Sequence, residues 1–166
     1  MEPLPFIDDR VQRIDAPLER TWLALLTTMR GSARNPPRLL AAAWGLAQAT
    51  HVGHWADHVA VGDTIPGFAV AQSEPPRLLV LRGGHRFSRY ELRFELESSP
   101  HARGVELHAK SSAVFPGLHG RIYRALVIGT GGHRIAVRRL LAAIARRAER
   151  TEASGGIRPV RSGAGT

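Results

Sequence analysis

Hydrophobic and polar residues follow two different periods along this chain, and the period changes near Gly67. After that point apolar residues alternate with polar ones, which is typical of strands that bury one face. The clearest example places Tyr90, Leu92 and Phe94 between charged neighbours. Alternation of this kind predicts an antiparallel sheet with one dry face and one solvated face. Four strands are predicted here: Phe68–Ser73, Arg77–Gly83, Phe87–Glu97 and Gly104–Phe115.

Helical spacing dominates on both sides of this region. A first strand is predicted over Phe6–Asp15, at a sheet edge because of its charges, followed by helices over Leu18–Met29 and Leu39–Ala49. The segment Gly31–Pro37 is predicted to separate the two helices, since consecutive prolines exclude a continuous helix. A long C-terminal helix over Tyr123–Arg150 places its apolar residues in one stripe and most of its arginines outside that stripe.

The glycine-rich run 129–132 interrupts the predicted C-terminal helix. Glycine destabilises a helix interior, so we expect the helix to bend or break at this run. The run lacks the Lys-Ser/Thr end of a phosphate-binding loop and does not follow a strand. Nucleotide binding is therefore not expected.

Length and composition restrict the class of protein. A chain of 166 residues suits one domain with its own core, and we predict that domain over 1–150. The Gly/Ser-rich segment 151–166 is predicted to be a disordered tail. The absence of cysteine excludes disulfides and thiol catalysis and fits a reducing compartment, so a cytoplasmic location is expected. We find no secretory signal and no apolar run long enough to span a membrane.

The order of these elements resembles the START/Bet v1-like superfamily, also called SRPBCC or helix-grip proteins. The resemblance extends over residues 6–150, and its C-terminal part is similar to an uncharacterised subgroup. The motifs that carry it are Ala16-Pro17-x-Glu19-x-x-Trp22, the run from Gly117 to Tyr123, and Gly132-His133-Arg134. It implies an α+β helix-grip fold: a curved antiparallel sheet around a long C-terminal helix, two short helices after the first strand, and a cavity between sheet and helix. Members bind lipids, polyketides or other apolar ligands, and some catalyse cyclisation or dehydration.

Polar side chains on the predicted dry surfaces are the candidate binding groups. Small-molecule pockets are mostly apolar with a few convergent polar groups. We therefore expect a small hydrophobic or amphipathic ligand between the sheet and the C-terminal helix. The predicted lining comprises Tyr90, Leu92, Phe94, Leu107, Ser111, Tyr123, Leu126, Thr130, His133 and Val137.

Three side chains are candidates for chemistry in such a pocket, although none is assigned a catalytic role. His133 can exchange a proton near neutral pH, and Tyr123 or Arg82 can polarise a carbonyl group. These groups would suit a cyclase- or dehydratase-like enzyme, which is the alternative to a binding protein without chemistry. The competing interpretation is that Tyr123 and His133 are core residues whose polar groups bond to the backbone.

Three clustered histidines are weak candidates for a metal site. His51, His54 and His58 would share one helix face, and neutral histidine is a common ligand of zinc and copper. However, Gly53 disfavours a rigid helix, and the spacing matches no recognised zinc signature. A solvent-facing cluster is favoured, and neither a metal nor a cofactor is expected.

The formal charge of +9 comes from 23 basic and 14 acidic residues, and Lys110 is the sole lysine. The arginines of the C-terminal helix offer a further alternative, a docking surface for an anionic membrane or for a protein. No aromatic side chains stand between them to stack bases, so nucleic acid is not an expected partner. The sequence does not indicate an oligomeric state. The arginines concerned are Arg138, Arg139, Arg146, Arg147 and Arg150.

Overall fold

The computed structural model describes residues 4–34, 59–65, 67–85, 88–99, 104–117 and 131–153. Within these ranges the chain forms six strands and two helices, an α+β arrangement consistent with a helix grip. In chain order they are β1 (Phe6–Ile14), α1 (Leu18–Arg34), β2 (Thr64–Ile65), β3 (Phe68–Glu74), β4 (Leu78–His85), β5 (Ser88–Ser98), β6 (Val105–Val114) and α2 (Gly132–Ala153). In this part of the chain no helix is long and apolar enough to cross a membrane.

The described strands form one antiparallel sheet in the order β1-β6-β5-β4-β3-β2. The four strands predicted after Gly67 are present as β3 to β6, and β1 lies at an edge as its charges predicted. The register aligns residues in rows across the sheet. One row runs from Asp8 through Ser111 and Leu92 to Leu81, and their side chains lie on the same face. We call this the inner face and the opposite one the outer face.

Helix α1 is formed by an apolar stripe that begins directly after Pro17. The Pro17 carbonyl accepts hydrogen bonds from the backbone N–H and the hydroxyl of Thr21, at 2.9 and 3.0 Å, and Glu19 complements the helix dipole. The helix continues to Arg34, beyond the predicted end at Met29, so Gly31 does not end it. Gly31 is exposed, and the cost of about 1 kcal/mol for a helical glycine is outweighed by burial of the apolar stripe. The predicted second helix, Leu39–Ala49, lies outside the described residues.

Helix α2 begins within the glycine run that was expected to interrupt it. Gly131 has a φ of 74°, a left-handed conformation that favours glycine, and its carbonyl accepts the N–H of Ile135. The segment 118–130 before it lies outside the described residues. The predicted apolar stripe is buried at Val137, Leu141, Ile144 and Ala148, and it packs on α1, β1 and β6. The helix runs to Ala153, three residues into the predicted tail.

A single hydrophobic cluster joins the inner face of the sheet to both helices. Phe94, Leu107 and Ile144 are 0% exposed, and burial of each such side chain contributes about 1.5–3 kcal/mol. On the same face Leu92 and Tyr90 are only half-buried, although Ser111 and Leu81 beside Leu92 are buried. The core therefore extends along the inner face, and the end that carries Tyr90 and Leu92 is considered next.

Candidate functional site

The edge strand β1 presents polar side chains to the inner face. Asp8 pairs with Ser111 and Arg10 with Ala109, and Ser111 and Ala109 are buried at 4% and 0% exposure. Directly opposed residues of an antiparallel pair share a face, so Asp8 and Arg10 lie on the inner side of the sheet. The two side chains form an ion pair, with Arg10 Nε donating to Asp8 Oδ2 at 2.8 Å. This pair places opposite charges beside the core.

Ser111 lies between Asp8 on one side and Leu92 on the other. Its Oγ is buried and makes no hydrogen bond to any described residue. A buried hydroxyl without a partner costs about 1–3 kcal/mol, because it loses its bonds to water without replacement. The Ser111 hydroxyl is therefore available for a hydrogen bond to a group outside the described residues.

His133, in the first turn of α2, is the second such group. Its Nε2 is buried and likewise has no hydrogen-bond partner among the described residues. Burial lowers the pKa of His133 below its usual value of 6.5; the carboxylate of Asp8 opposes this shift, and Arg10 adds to it. His133 lies in the first turn of a helix that packs on β1, the strand that carries both charges. The imidazole is consequently neutral at pH 7 and can accept or donate one hydrogen bond. We call Asp8, Arg10, Ser111 and His133 the polar cluster.

Tyr90 forms the apolar side of this end of the inner face. Its hydroxyl donates to the Gly67 carbonyl at 2.8 Å, and its ring meets Phe68 edge-on with ring centroids 5.0 Å apart. Gly83 lies directly opposite Tyr90 in the register, and a β-carbon there would overlap the Tyr90 ring. The glycine thus lets the ring lie against the sheet, beside half-buried Leu92.

The predicted lining residues fall into three groups. Tyr90, Leu92 and Ser111 lie on the inner face of the sheet, and His133 lies in the first turn of α2, which packs on β1. Three more, Phe94, Leu107 and Val137, belong to the core, with exposures of 0%, 0% and 6%. Tyr123, Leu126 and Thr130 lie outside the described residues.

Arg82 is not part of this arrangement. It lies in register with Glu91 on the outer face and donates from Nε to Glu91 Oε2 at 2.7 Å. A role for Arg82 in a pocket on the inner face has no geometric support.

Asp8 and Arg10 were missed by the sequence analysis. The strand Phe6–Ile14 mixes charged and apolar residues without clean alternation, partly because the register shifts between Phe6 and Asp8. A β-bulge reverses the face assignment on either side of it. The signal available in the sequence was the Asp8-x-Arg10 spacing, which places opposite charges on one strand face.

The histidine cluster at His51, His54 and His58 lies outside the described residues, so the structure does not test it. Within the described ranges, no group of three or more His, Asp or Glu side chains is placed to hold a metal ion.

The outer face carries a separate network of ion pairs. Glu95 accepts hydrogen bonds from Arg93 and Lys110, and Asp9 lies 3.4 Å from His108. The Lys110 ammonium lowers the pKa of Glu95, and the same contact raises the pKa of Lys110. These pairs are solvated and contribute less than about 1 kcal/mol each. They explain the alternating charges of β5 without a catalytic role.

Two grooves, both lined entirely by described residues, lie along α2. The first, of about 330 Å³, lies between α1 and α2 and is bordered by Thr27, Thr28, Arg146 and Arg150. The second, of about 530 Å³, lies between β1 and α2. Neither is the predicted cavity over the inner face, which stays a prediction.

Neither protein-family models nor curated proteins match this sequence. Solved structures similar to it include a protein from Mesorhizobium loti, with 18% identity, coverage of 87% of this chain and 97% of that chain, and a TM-score of 0.48. A Polyketide_cyc-like protein from Corynebacterium glutamicum has 15% identity, coverage of 95% and 99%, and a TM-score of 0.43. CalU16 from Micromonospora echinospora has 16% identity, coverage of 92% and 96%, and a TM-score of 0.41. Likeness at this level carries no statement about ligand or reaction.

Proposed function

We propose that the protein binds a small, uncharged, amphipathic molecule on the inner face of the sheet. The observation that carries this proposal is the pair of buried polar atoms, Ser111 Oγ and His133 Nε2, that have no hydrogen-bond partner in the described part of the chain. A hydroxyl or carbonyl group of a ligand would satisfy them and recover the cost of their burial. The apolar body of the ligand would lie against Tyr90 and Leu92.

The charges near the site support an uncharged polar group over an anion. Arg10 is already paired with Asp8, and His133 is neutral because burial lowers its pKa. An anionic head group would have to approach the Asp8 carboxylate without an unpaired cation to meet it. Removing such a charge from water without compensation is costly.

The test compares two probes that differ by one hydroxyl, 2-naphthol and naphthalene. We expect the wild-type protein to bind 2-naphthol about tenfold more tightly, since one good hydrogen bond is worth about 1–1.5 kcal/mol. Ser111→Ala should remove most of this preference. The matched control is Ser112→Ala, because Ser112 neighbours Ser111 in the chain but points to the outer face. Equal preference in both variants, or no binding of either probe, would refute the proposal; native mass spectrometry of the purified protein would identify a co-purifying ligand directly.

A cyclase- or dehydratase-like reaction is the second candidate, and the state of His133 favours it. A neutral imidazole at pH 7 can remove a proton from a carbon acid or hydroxyl within hydrogen-bond reach. The turnover rate would then fall only below the lowered pKa of His133. His133→Gln would abolish turnover at every pH. Binding of 2-naphthol without any His133-dependent turnover of hydroxylated substrates would leave the protein as a binding module.

A further inference from the structure

The outer edge of β1 carries the second feature from which a function can be inferred. β1 is the terminal strand of the described sheet, so one edge pairs with β6 and the other faces a groove of about 530 Å³. The groove runs between Arg10–Gln12 of β1 and the residues Ile135, Arg138 and Arg139 of α2. Arg10 also belongs to the polar cluster, but Arg138 and Arg139 do not, so an inference that is tested through these two arginines does not depend on the proposed ligand. We call this groove the β1–α2 groove.

The lining of this groove is cationic and partly apolar. Arg138 and Arg139 are exposed and form no ion pair with the described residues, whereas Arg10 is paired with Asp8. Among the residues that line the groove there is no acidic side chain. Val11 and Ile135 are 51% and 52% exposed and add apolar surface to the groove. A complementary occupant would carry both carboxylates and apolar groups.

Beyond the lining of the groove, one backbone N–H after β1 binds a carboxylate of α2. The N–H of Asp15, one residue after β1, donates to Glu149 Oε1 of α2 at 3.3 Å. An acidic side chain can therefore reach this chain edge from the side of α2. Among the described strands, none pairs with the outer edge of β1, and the backbone groups of such an edge can pair with an added strand.

We propose that the β1–α2 groove binds an extended acidic segment of a partner protein, which adds to the sheet as a strand beside β1. Main-chain hydrogen bonds would supply affinity, and alternate side chains would supply specificity. The side chains on the α2 side of the added strand would present carboxylates to Arg138 and Arg139, and the alternate, apolar side chains would contact Val11 on the outer face. A membrane surface offers no backbone groups to pair with a strand edge. A second copy of this chain would bring its own arginines to the same groove and add like charge.

The experiment measures fluorescence anisotropy of a fluorescein-labelled ten-residue peptide of alternating glutamate and valine. The R138Q/R139Q double variant should bind it about tenfold more weakly than the wild-type protein, since loss of two ion pairs removes about 1.4 kcal/mol. The matched control is R146Q/R150Q, which removes the same charge from the groove beside α1 and should change affinity less than twofold. Circular dichroism should show both variants folded, because all four side chains are exposed.

A second peptide separates strand addition from charge attraction alone. It keeps the glutamates but carries consecutive prolines at its centre, which cannot donate backbone hydrogen bonds, and it should bind at least fivefold more weakly. Equal binding of both peptides, equal weakening by both double variants, or no binding of the alternating peptide would overturn the proposal. A further contrary outcome is that R138Q/R139Q loses binding to phosphatidylglycerol vesicles but keeps its affinity for the peptide. That result would assign the groove to a membrane. A concentration-dependent dimer that this variant abolishes would assign it to a second copy.

Discussion

Gly83 offers the sharpest test of how the inner face is built. A β-carbon at this position would lie 2.7 Å from Cζ of Tyr90, and nearer still to Cε2 of that ring and to the carbonyl oxygen of Gly67. Real β-carbons do not approach this closely, so Gly83→Ala must displace either the tyrosine or the backbone of the neighbouring strand. Overpacking costs about 1–3 kcal/mol, and loss of the Tyr90–Gly67 hydrogen bond adds about 1 kcal/mol.

The neighbouring glycine supplies the control. A β-carbon on Gly84 would meet the Ser88 carbonyl oxygen at 3.4 Å and Arg89 Cγ at 3.6 Å, which are ordinary contacts. Both substitutions remove about 0.4–1 kcal/mol of chain entropy from the unfolded state, so Gly84→Ala should be neutral or slightly stabilising. We expect Gly83→Ala to be less stable than Gly84→Ala by about 2–3 kcal/mol.

Urea unfolding followed by tryptophan fluorescence measures this difference. For a chain of this length it corresponds to a melting temperature lower by roughly 4–12 °C. In a Tyr90→Ala background the cost of Gly83→Ala should fall by about 1 kcal/mol, because part of the overlap is removed. A difference below about 0.5 kcal/mol between the two alanine variants would refute the described packing of Tyr90 on β4.

Three further predictions follow from buried polar groups. Ser111→Ala should stabilise the ligand-free protein by about 1 kcal/mol in urea unfolding, because it removes an unpaired hydroxyl; destabilisation would show that the hydroxyl has a partner. The lowered pKa of His133 means that the unfolded chain binds more protons than the folded one below pH 6.5, so stability should fall as the pH drops through that value. His133→Gln should show a smaller loss between pH 7 and pH 5, and an unchanged pH dependence would contradict this. Thr21→Ala should cost about 1–2 kcal/mol, since Thr21 is 0% exposed and bonded to the Pro17 carbonyl, whereas exposed Thr27→Ala should cost almost nothing in the same assay.

The alternation of β5 shows where sequence patterns were sufficient. The spacing of Tyr90, Leu92 and Phe94 predicts that they share one face, and the structure confirms that face as the inner one. A strand whose two faces differ in polarity determines its own orientation, because reversing it would bury a row of charges.

Strand β4 shows where the pattern was insufficient. Leu79 and Leu81 lie on one face and Leu78 and Val80 on the other, so both faces are apolar and the spacing does not select one. Pairing with β5 placed Val80 opposite Arg93 on the outer face, where it is nevertheless only 1% exposed. Arg82 shares the face of Val80, which is why it points away from the proposed site.

The polar cluster depended on the tertiary structure altogether. Asp8, Ser111 and His133 come from the first strand, the last strand and the final helix, and only the pairing of β1 with β6 and the packing of α2 bring them together. By itself the sequence determined what is local: the helical and strand periods and the edge position of a charged strand. The tertiary structure decided which faces meet and which buried polar atoms lack a partner, because both depend on residues far apart in the chain.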